Sequence, residues 1–320
     1  MQIIMMGTGP FAVPTFESLL ESEHDVVVLV TRPTPPARSR SKTPPSPMRD
    51  VAQAQRIEVL SPEDVNSEAA RTQLASLRPD LYVVCDYGQI LSPEALGIPP
   101  LGGINLHGSL LPKYRGAAPV HWAILNGDQQ TGITVIHMTP KLDGGPTLTM
   151  RTTPIGERET TEELEPRLAL LGVDPVHEAI KMLADWDRIS PIGTQQDQAL
   201  ACRAPRLKKS DGAVDWTLSA SRIFNQFRAL KPWPGTFTQW DRPNGQKLRL
   251  LFDEIAISND AAPKGAEPGS ILVSDGTSLD VVTGEGVLSL LKIQPAGKRV
   301  MAIDEFLRGY PIPVGDRLGN

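Results

Sequence analysis

Short apolar runs alternate with longer amphipathic stretches through the first half of the sequence, and this alternation limits the chain to few folds. The stretch from Phe11 to Ser22 lies between two of these runs and carries its apolar residues on one helical face. Nearly continuous apolar strands separated by helices are typical of a parallel sheet covered on both faces. The pattern therefore predicts a doubly wound, Rossmann-like α/β domain with a mostly parallel sheet. Its predicted strands are Gln2–Met6, Asp25–Val30, Leu81–Cys85, Ile104–His107 and Ile133–Met138.

The pattern changes after Asp211, where one predicted helix is followed by short β-like runs. Turn dipeptides such as Asn244-Gly245 separate these runs. Several short strands joined by such turns are typical of a small β-barrel, so we predict an OB-like domain here. Between the two patterns, periodicity is lost from Ile189 to Lys209. We therefore expect an α/β domain over residues 1–188, a linker over 189–209 and the OB-like domain over 210–320.

The charge balance limits how the chain could hold a nucleic acid. The formal net charge is −5 at pH 7, so a nucleic-acid partner has to be held by local basic patches. Three basic segments are present, and the first also contains many prolines, which predict a loop. They are residues 31–49, 203–209 and 292–299.

Cysteine usage and hydropathy exclude several classes of protein. Cys85 and Cys202 are the only cysteines, and their wide separation excludes a disulfide scaffold and a zinc ribbon. No metal site is predicted. The first residues lack a basic leader with an apolar core, and no apolar run approaches the ~20 residues of a membrane span. We therefore expect a cytoplasmic protein with no membrane partner.

The glycine-rich start Gly7-Thr-Gly9-Pro-Phe-Ala12 is close to the dinucleotide fingerprint G-x-G-x-x-A. Backbone amides at such a turn can hold a phosphate, and Arg32 lies where an arginine could take a 2′-phosphate. However, Pro10 removes one of those amides, and a tight strand-to-helix turn needs glycine in any case. An NADP-dependent oxidoreductase is thus one alternative function.

The most informative segment is Gly103–Gly116, in which Asn105 and His107 alternate along a predicted strand. Alternate residues point to the same face of a strand. Asp143 follows another predicted strand in the turn Asp143-Gly-Gly145. Because loops at the carboxyl ends of strands meet in one crevice of a doubly wound sheet, we expect these three side chains to converge.

An amide, an imidazole and a carboxylate together suit acyl transfer to an amine. The amide can donate to a developing oxyanion, the imidazole can move a proton near pH 7, and the carboxylate can orient the imidazole or take the amine proton. No cysteine lies nearby, and Ser109 is not in a G-x-S-x-G nucleophile elbow. The residues therefore favour direct attack of the amine, through a tetrahedral intermediate, over a serine hydrolase.

The pattern N-x-H-x-S-L-L-P at residues 105–112, followed by Asp143 in its glycine-rich turn, resembles the folate-dependent formyltransferase family. Further segments extend the similarity over nearly the whole chain: Gly7–Ala12, Asp86–Leu91, Tyr114–Pro119, Asp215-Trp216, Arg228–Gly235 and Leu291–Lys298. The resemblance implies an enzyme that transfers the formyl group of 10-formyltetrahydrofolate to the amino group of methionine on initiator methionyl-tRNA, which serves translation initiation. We also expect a monomer.

The resemblance also implies roles for individual residues. His107 is expected to act as general acid–base, Asn105 to hold the oxyanion, and Asp143 to tune His107 and help remove the amine proton. Folate is expected to be held largely by the backbone at and around nine positions. They are Gln89, Ile90, Leu91, Ser109, Leu110, Leu111, Pro112, Met138 and Leu142.

The same resemblance implies that the basic segments contact tRNA phosphates, which position a nucleic acid rather than specify its sequence. The expected residues are Arg38, Arg40, Lys42, Arg206, Lys208, Lys209 and Lys298. Two features depart from the family pattern: the 31–49 loop lacks the usual glycines, and Asp86 stands where a small residue is common. An amino sugar or a glycinamide ribonucleotide is an alternative acceptor. A non-catalytic tRNA-binding module is a further alternative, but it leaves Asn105, His107 and Asp143 unexplained.

Overall fold

The computed structural model describes residues 1–34 and 46–319. These residues form two compact units. The first comprises residues 1–120, 129–155 and 163–206, and the second comprises residues 121–128, 156–162 and 207–320. Because the units interleave along the chain, the division at residues 188 and 210 stays a prediction.

The helices are short, and none among the described residues is both long and apolar enough to cross a membrane. In chain order they are α1 (Val13–Leu20), α2 (Pro47–Ala54), α3 (Glu68–Ser76), α4 (Pro93–Leu96), α5 (Pro119–Leu125), α6 (Thr161–Leu171), α7 (Val173–Ala184), α8 (Ala220–Leu230) and α9 (Ile303–Gly309).

The first unit is built on one seven-stranded sheet. Its strands are β1 (Gln2–Gly7), β2 (Asp25–Val30), β3 (Val59–Leu60), β4 (Leu81–Cys85), β5 (Gly103–His107), β6 (Gln130–His137) and β7 (Thr147–Pro154). Their order across the sheet is β3-β2-β1-β4-β5-β6-β7. The first five are parallel, whereas β6 and β7 are antiparallel to their neighbours. The predicted mostly parallel, Rossmann-like sheet is confirmed.

Helices cover both faces of this sheet, which explains why its central strands are almost entirely apolar. Ile4 and Met6 of β1 pack into a core with Leu74 of α3 and Ala95 of α4. Ile3 and Met5, which alternate with them, are also fully buried. The side chains of Ile3 to Met6 therefore face packed layers on both sides of the sheet, as in a doubly wound fold.

The strand order reverses at β1, which pairs with β2 on one side and β4 on the other. The loops that follow β1 and β4 meet there, and the Thr8 backbone N–H donates to the Asp86 carbonyl over 3.1 Å. Ligands of open α/β sheets bind at such a switch point, next to the carboxyl ends of the strands.

The second unit is built on an antiparallel sheet. Its strands are β8 (Phe237–Asp241), β9 (Lys247–Ile257), β10 (Ile271–Ser274), β11 (Leu279–Val282), β12 (Val287–Pro295) and β13 (Met301–Ala302). They follow the order β10-β11-β12-β9-β8, with β13 paired to β12. Trp240, Leu290 and Phe306 are fully buried in its core, which also contains Ile223 of α8. The OB-like prediction is confirmed. The β-like runs of the sequence, Gly235–Trp240, Lys247–Phe252, Ser270–Val273, Ser278–Thr283 and Val287–Ile293, overlap β8 to β12 in that order.

Candidate active site

His107 ends strand β5, and its imidazole is buried, with 6 % of its surface exposed. Its Nε2 atom lies 2.9 Å from the Tyr114 carbonyl oxygen. A carbonyl oxygen can only accept, so in this contact Nε2 carries the hydrogen. The other ring nitrogen, Nδ1, carries no hydrogen in the neutral ring and faces Asp143.

Asp143 lies in the loop between β6 and β7, in a left-handed backbone conformation with φ of 46°. This region is uncommon for residues other than glycine, so the surrounding contacts must hold it. The Asp143 Oδ2 atom accepts the Gly116 backbone N–H over 2.9 Å and lies 3.8 Å from His107 Nδ1. The distance to Nδ1 is too long for a hydrogen bond but places the two groups in direct electrostatic contact.

Asn105 precedes His107 by two residues on β5, so its side chain projects from the same face of the sheet. The residue is half-buried. Within residues 1–34 and 46–319, no hydrogen bond engages its side-chain amide. The amide can therefore donate to a ligand without breaking an existing contact.

The structure thus brings His107 and Asp143 together and places Asn105 beside them, but the predicted reason for the convergence is wrong. Strand β6 runs antiparallel to β5, with His137 opposite Ile104 and Thr134 opposite His107. The carboxyl end of β6 therefore lies at the beginning of β5, about 10 Å from His107 at ~3.3 Å per residue. The loop after β6 has to run back along the face of the sheet to bring Asp143 to the imidazole.

Several residues predicted to bind folate support the fold of the site through their own contacts. The Ser109 hydroxyl donates to the Lys113 carbonyl over 2.7 Å. The Thr134 hydroxyl donates to the Ser109 carbonyl over 2.7 Å and accepts the Leu111 N–H over 3.1 Å. These bonds fix the path of the chain immediately after His107.

Gln89 is likewise occupied by internal contacts. Its side-chain oxygen accepts the Val65 N–H and its side-chain nitrogen donates to the Pro62 carbonyl, each over 3.0 Å. These two bonds fix the orientation of the Gln89 amide on the protein side. Leu91 and Leu111 are buried, and Met138 packs against the core that contains Leu91. Leu110 and Pro112 are half-buried.

Two of the predicted folate residues are exposed apolar side chains. Ile90 is 67 % exposed and Leu142 is 55 % exposed. Gly88, close to Ile90 in the chain, has φ of 83° and is exposed, and the Arg32 side chain lies beside it. Apolar side chains next to open backbone fit a flat heterocycle, which needs covered faces and hydrogen bonds at its edge. The residues present are therefore compatible with a reduced folate.

The glycine-rich turn after β1 does not offer a phosphate site. The Asp86 carboxylate rests on Gly9 so closely that a Cβ atom added to Gly9 would lie 1.8 Å from Asp86 Oδ2. The carboxylate fills the approach that a pyrophosphate would need and carries the same sign of charge. This contact argues against the NADP-dependent oxidoreductase.

Asp86 is exposed as a residue, but its carboxyl group lies against Gly9. Desolvation raises the pKa of Asp86, and the nearby charges of Arg206 and Arg32 offset part of that rise. Arg206, predicted to bind tRNA, therefore also faces an acidic group of its own unit.

The other residues predicted to contact tRNA are placed as follows. Arg38, Arg40 and Lys42 lie outside the described residues. Lys208 and Lys209 are exposed at a 3₁₀ turn of the second unit, and Lys298 is exposed in the turn that follows β12. Nothing in their local contacts assigns them a ligand.

Gln196 was not among the predicted site residues, although it lies against the Asp143 loop. Its side-chain nitrogen donates to the carbonyl oxygens of Asp143 and Gly145, over 2.8 and 2.7 Å. The sequence around it has no periodicity, and a contact between a side chain and distant backbone leaves no local pattern. No signal in the single sequence could have identified it.

Comparison of the sequence with known protein families identifies the family of the chain. The sequence matches the Formyl transferase family over residues 1–180 and the Formyl transferase C-terminal domain over residues 206–311. The chain belongs to the formyl transferase family. It is therefore an enzyme of formyl transfer, as the sequence predicted.

Two similar formyl transferases match along nearly their whole length. A methionyl-tRNA formyltransferase of Rhodopirellula baltica is 43 % identical, over 99 % of this chain and 96 % of that protein. A methionyl-tRNA formyltransferase of Citrifermentans bemidjiense is 40 % identical, over 100 % of this chain and 97 % of that protein.

Solved structures support the fold. WlaRD, a sugar 3N-formyl transferase crystallised with dTDP and 5-N-formyl-THF, has a TM-score of 0.64 at 15 % identity, over 93 % of this chain and 99 % of that chain. HypX from Aquifex aeolicus in complex with tetrahydrofolic acid has a TM-score of 0.61 at 15 % identity. The match covers 98 % of this chain but 48 % of HypX, so the chain spans about half the length of that protein.

Proposed function

We propose that this formyl transferase moves the formyl group of 10-formyltetrahydrofolate to the amino group of methionine on initiator methionyl-tRNA, in the cytoplasm, as a step in translation initiation. The observation that carries the proposal is the meeting of His107 Nδ1 and Asp143 Oδ2 at 3.8 Å, beside the open amide of Asn105. The acceptor is inferred from the relatives that share up to 43 % identity along the chain.

Asn105 is proposed to stabilise the negative charge that develops on the formyl oxygen during attack by the amine. Its amide is half-buried and has no partner among the described residues, so it can be aimed at that oxygen at no cost to the fold. A donor that is already in place before the reaction is worth more than one that must reorganise.

His107 and Asp143 are proposed to handle the proton of the attacking amine. The Tyr114 carbonyl holds the hydrogen on Nε2, so Nδ1 is the ring atom that can exchange a proton with the reacting groups. Asp143 faces Nδ1 and can stabilise the imidazolium or accept the proton itself. Neither role requires a covalent bond to the enzyme.

The folate donor, when bound, supplies the formyl carbon that the amine attacks. Exposed Ile90 and Leu142 are proposed to cover it, and the backbone of Gln89–Leu91 and Ser109–Pro112 to hold its polar edge. The buried hydrogen bonds of Ser109 and Leu111 to Thr134 keep this backbone in a fixed path.

The tRNA is proposed to be held by local basic patches, since the net charge of −5 gives no general attraction to RNA. The patches are Arg38, Arg40, Lys42, Arg206, Lys208, Lys209 and Lys298. In this proposal the OB-like domain over 210–320 binds tRNA, the 189–209 linker joins it to the catalytic domain, and the enzyme acts as a monomer.

A formyl-transfer assay with the purified chain tests this function. The acceptors compared are initiator methionyl-tRNA, uncharged initiator tRNA, elongator methionyl-tRNA and a nucleotide-linked amino sugar, each with 10-formyltetrahydrofolate. We expect product from initiator methionyl-tRNA, formed about 10²- to 10⁴-fold more slowly by the His107→Ala variant. Formylation of the amino sugar in preference to charged tRNA would replace the proposed acceptor, and no formyl transfer to any amine would refute the proposal.

A further inference from the structure

Gln196 lies in residues 181–205, which fall between the two family matches. Most of its neighbours along the chain are exposed, but Gln196 is buried, with 9 % of its surface accessible. A buried amide in an otherwise exposed segment has to have its polar atoms satisfied by the protein. Its partners lie around Asp143.

Both hydrogens of the Gln196 amide are used on the Asp143 loop. They are donated to the carbonyl oxygens of Asp143 and Gly145, over 2.8 and 2.7 Å. These two carbonyls flank Gly144, so one side chain holds the backbone on both sides of the turn. Asp143 has φ of 46°, a conformation that persists only where surrounding contacts hold it.

The oxygen of the same amide is held by Arg115. It accepts from Arg115 Nε over 3.1 Å and from Arg115 Nη2 over 2.5 Å. The next residue, Gly116, donates its backbone N–H to Asp143 Oδ2 over 2.9 Å. Gln196 therefore holds the backbone of Asp143 while the Arg115-Gly116 pair holds both the Gln196 amide and the Asp143 carboxylate.

A second glutamine reinforces the arrangement from the exposed side. The Gln198 side-chain oxygen accepts from Arg115 Nη1 over 2.9 Å and from Lys141 Nζ over 2.6 Å. Its nitrogen donates to the Gln196 carbonyl over 3.1 Å. The loop is thus attached at its beginning, Lys141, as well as at Asp143 and Gly145.

We propose that Gln196 is a positioning residue for formyl transfer, which keeps the Asp143 carboxylate against His107 Nδ1 by holding the backbone of the Lys141–Gly145 loop. This inference rests on the proposed function of Asp143. Only an amide can donate two hydrogen bonds and accept two at this position. A carboxylate would pair with Arg115 but would face two carbonyl oxygens, and alanine would leave both carbonyls unpaired. A displacement of ~1 Å at a reacting group can cost about 10²-fold in rate.

The test is a double-mutant cycle that combines Gln196→Ala with Asp143→Asn, with Gln196→Glu as a second variant. Gln195→Ala is the matched control, because Gln195 is exposed and makes no side-chain hydrogen bond to the described residues. We expect Gln196→Ala and Gln196→Glu each to lower kcat about 10- to 100-fold. In the Asp143→Asn background, Gln196→Ala should lower kcat less than about 3-fold, because Gln196 acts on the rate through the Asp143 carboxylate, which that background lacks.

A purely structural role would lower kcat by the same factor in both backgrounds, and this result, or an unchanged kcat in Gln196→Ala, would overturn the inference. Hydrogen exchange of residues 141–145 provides a readout that does not depend on activity, and faster exchange is expected in both Gln196 variants but not in Gln195→Ala. If the wild-type chain formylates no amine, the proposed function fails. The exchange result would still decide whether Gln196 holds the loop, and unchanged exchange would refute that.

Discussion

The Nδ1 atom of His107 lies 3.8 Å from the Oδ2 atom of Asp143, although His107 ends strand β5 and Asp143 lies in the loop between β6 and β7. The opposite ring nitrogen is bonded to the Tyr114 carbonyl, and Oδ2 is bonded to the Gly116 N–H. Each partner is therefore oriented by a backbone group: His107 through the ring nitrogen opposite Nδ1, and Asp143 through the same oxygen that faces Nδ1. A proton that arrives at Nδ1 faces a carboxylate already in place, which is the arrangement that general acid–base catalysis requires.

We expect the His107→Ala variant to be nearly inactive. A proton-transfer group of this kind contributes about 10²–10⁴-fold to the rate, and kcat should fall by that factor. Folate affinity should change little, because the proposed folate contacts come from backbone and from Ile90 and Leu142. Initial rates and a fluorescence titration with a reduced folate measure the two quantities.

The thermal denaturation midpoint of His107→Ala serves as its control, since the lost imidazole is buried. A variant that is folded but loses folate affinity in proportion to rate would assign His107 to donor binding and contradict the acid–base role.

Replacing Asn105 separates oxyanion stabilisation from proton transfer. Removal of one oxyanion donor typically lowers kcat by about 10²–10³-fold, which we expect for Asn105→Ala. Asn105→Asp should lose more, because a carboxylate places negative charge where negative charge develops. Single-turnover rates at saturating donor measure this difference. Equal activity of Asn105→Asp and the wild type would show that this amide faces no oxyanion.

The α/β architecture was predictable because burial on both faces makes each central strand a continuous apolar run. The face shared by Asn105 and His107 was predictable because strand periodicity has only two outcomes. The direction of β6 was not predictable, since a run such as Ile133–Met138 reads the same in a parallel or an antiparallel strand. Asp143 does lie close to His107, but the argument that predicted this was incorrect. The path of the loop after β6 along the sheet can be learned only from the structure.

Side-chain contacts with distant backbone were beyond sequence reasoning for a related reason. Gln196 lies 53 residues from Asp143 along the chain, and nothing in its neighbours marks it as a polar anchor. The predicted linker over 189–209 was inferred from lost periodicity alone. Loss of periodicity also occurs where a segment is held by individual polar contacts rather than by an apolar face.

The contact between Asp86 and Gly9 predicts that substitutions at these two positions affect stability in a coupled way. Gly9 has φ of −88°, which alanine can adopt, but its Cβ would lie 1.8 Å from Asp86 Oδ2. Gly9→Ala should lower the free energy of unfolding by about 1 kcal/mol, since the side chain of Asp86 must rotate away. In an Asp86→Ala background the same substitution should be nearly neutral. Urea denaturation of the four proteins gives the coupling energy, and a coupling of zero would show that Asp86 does not rest on Gly9.

Glu165 of α6 predicts how stability depends on pH. Desolvation, and secondarily the charge of Asp86, raise the pKa of Glu165 from 4.5 to about 7. A raised pKa means that the folded state favours the protonated form. The stabilising contribution is therefore complete below pH 4.5 and is lost as the pH rises through about 7. At ~1.4 kcal/mol per pKa unit, the loss is at most about 3.5 kcal/mol.

Glu165→Gln keeps a neutral side chain at every pH, so this variant should match the wild type near pH 4.5 and be more stable by up to that amount at pH 8. The measurement is the free energy of unfolding in urea at pH 4.5, 6, 7 and 8. Asp86→Ala removes the neighbouring charge, so in that background Glu165→Gln should stabilise less at pH 8. Some stabilisation should remain, because desolvation is the larger cause. If the wild type and Glu165→Gln keep a constant difference across this range, then Glu165 ionises at its ordinary pKa in the folded protein.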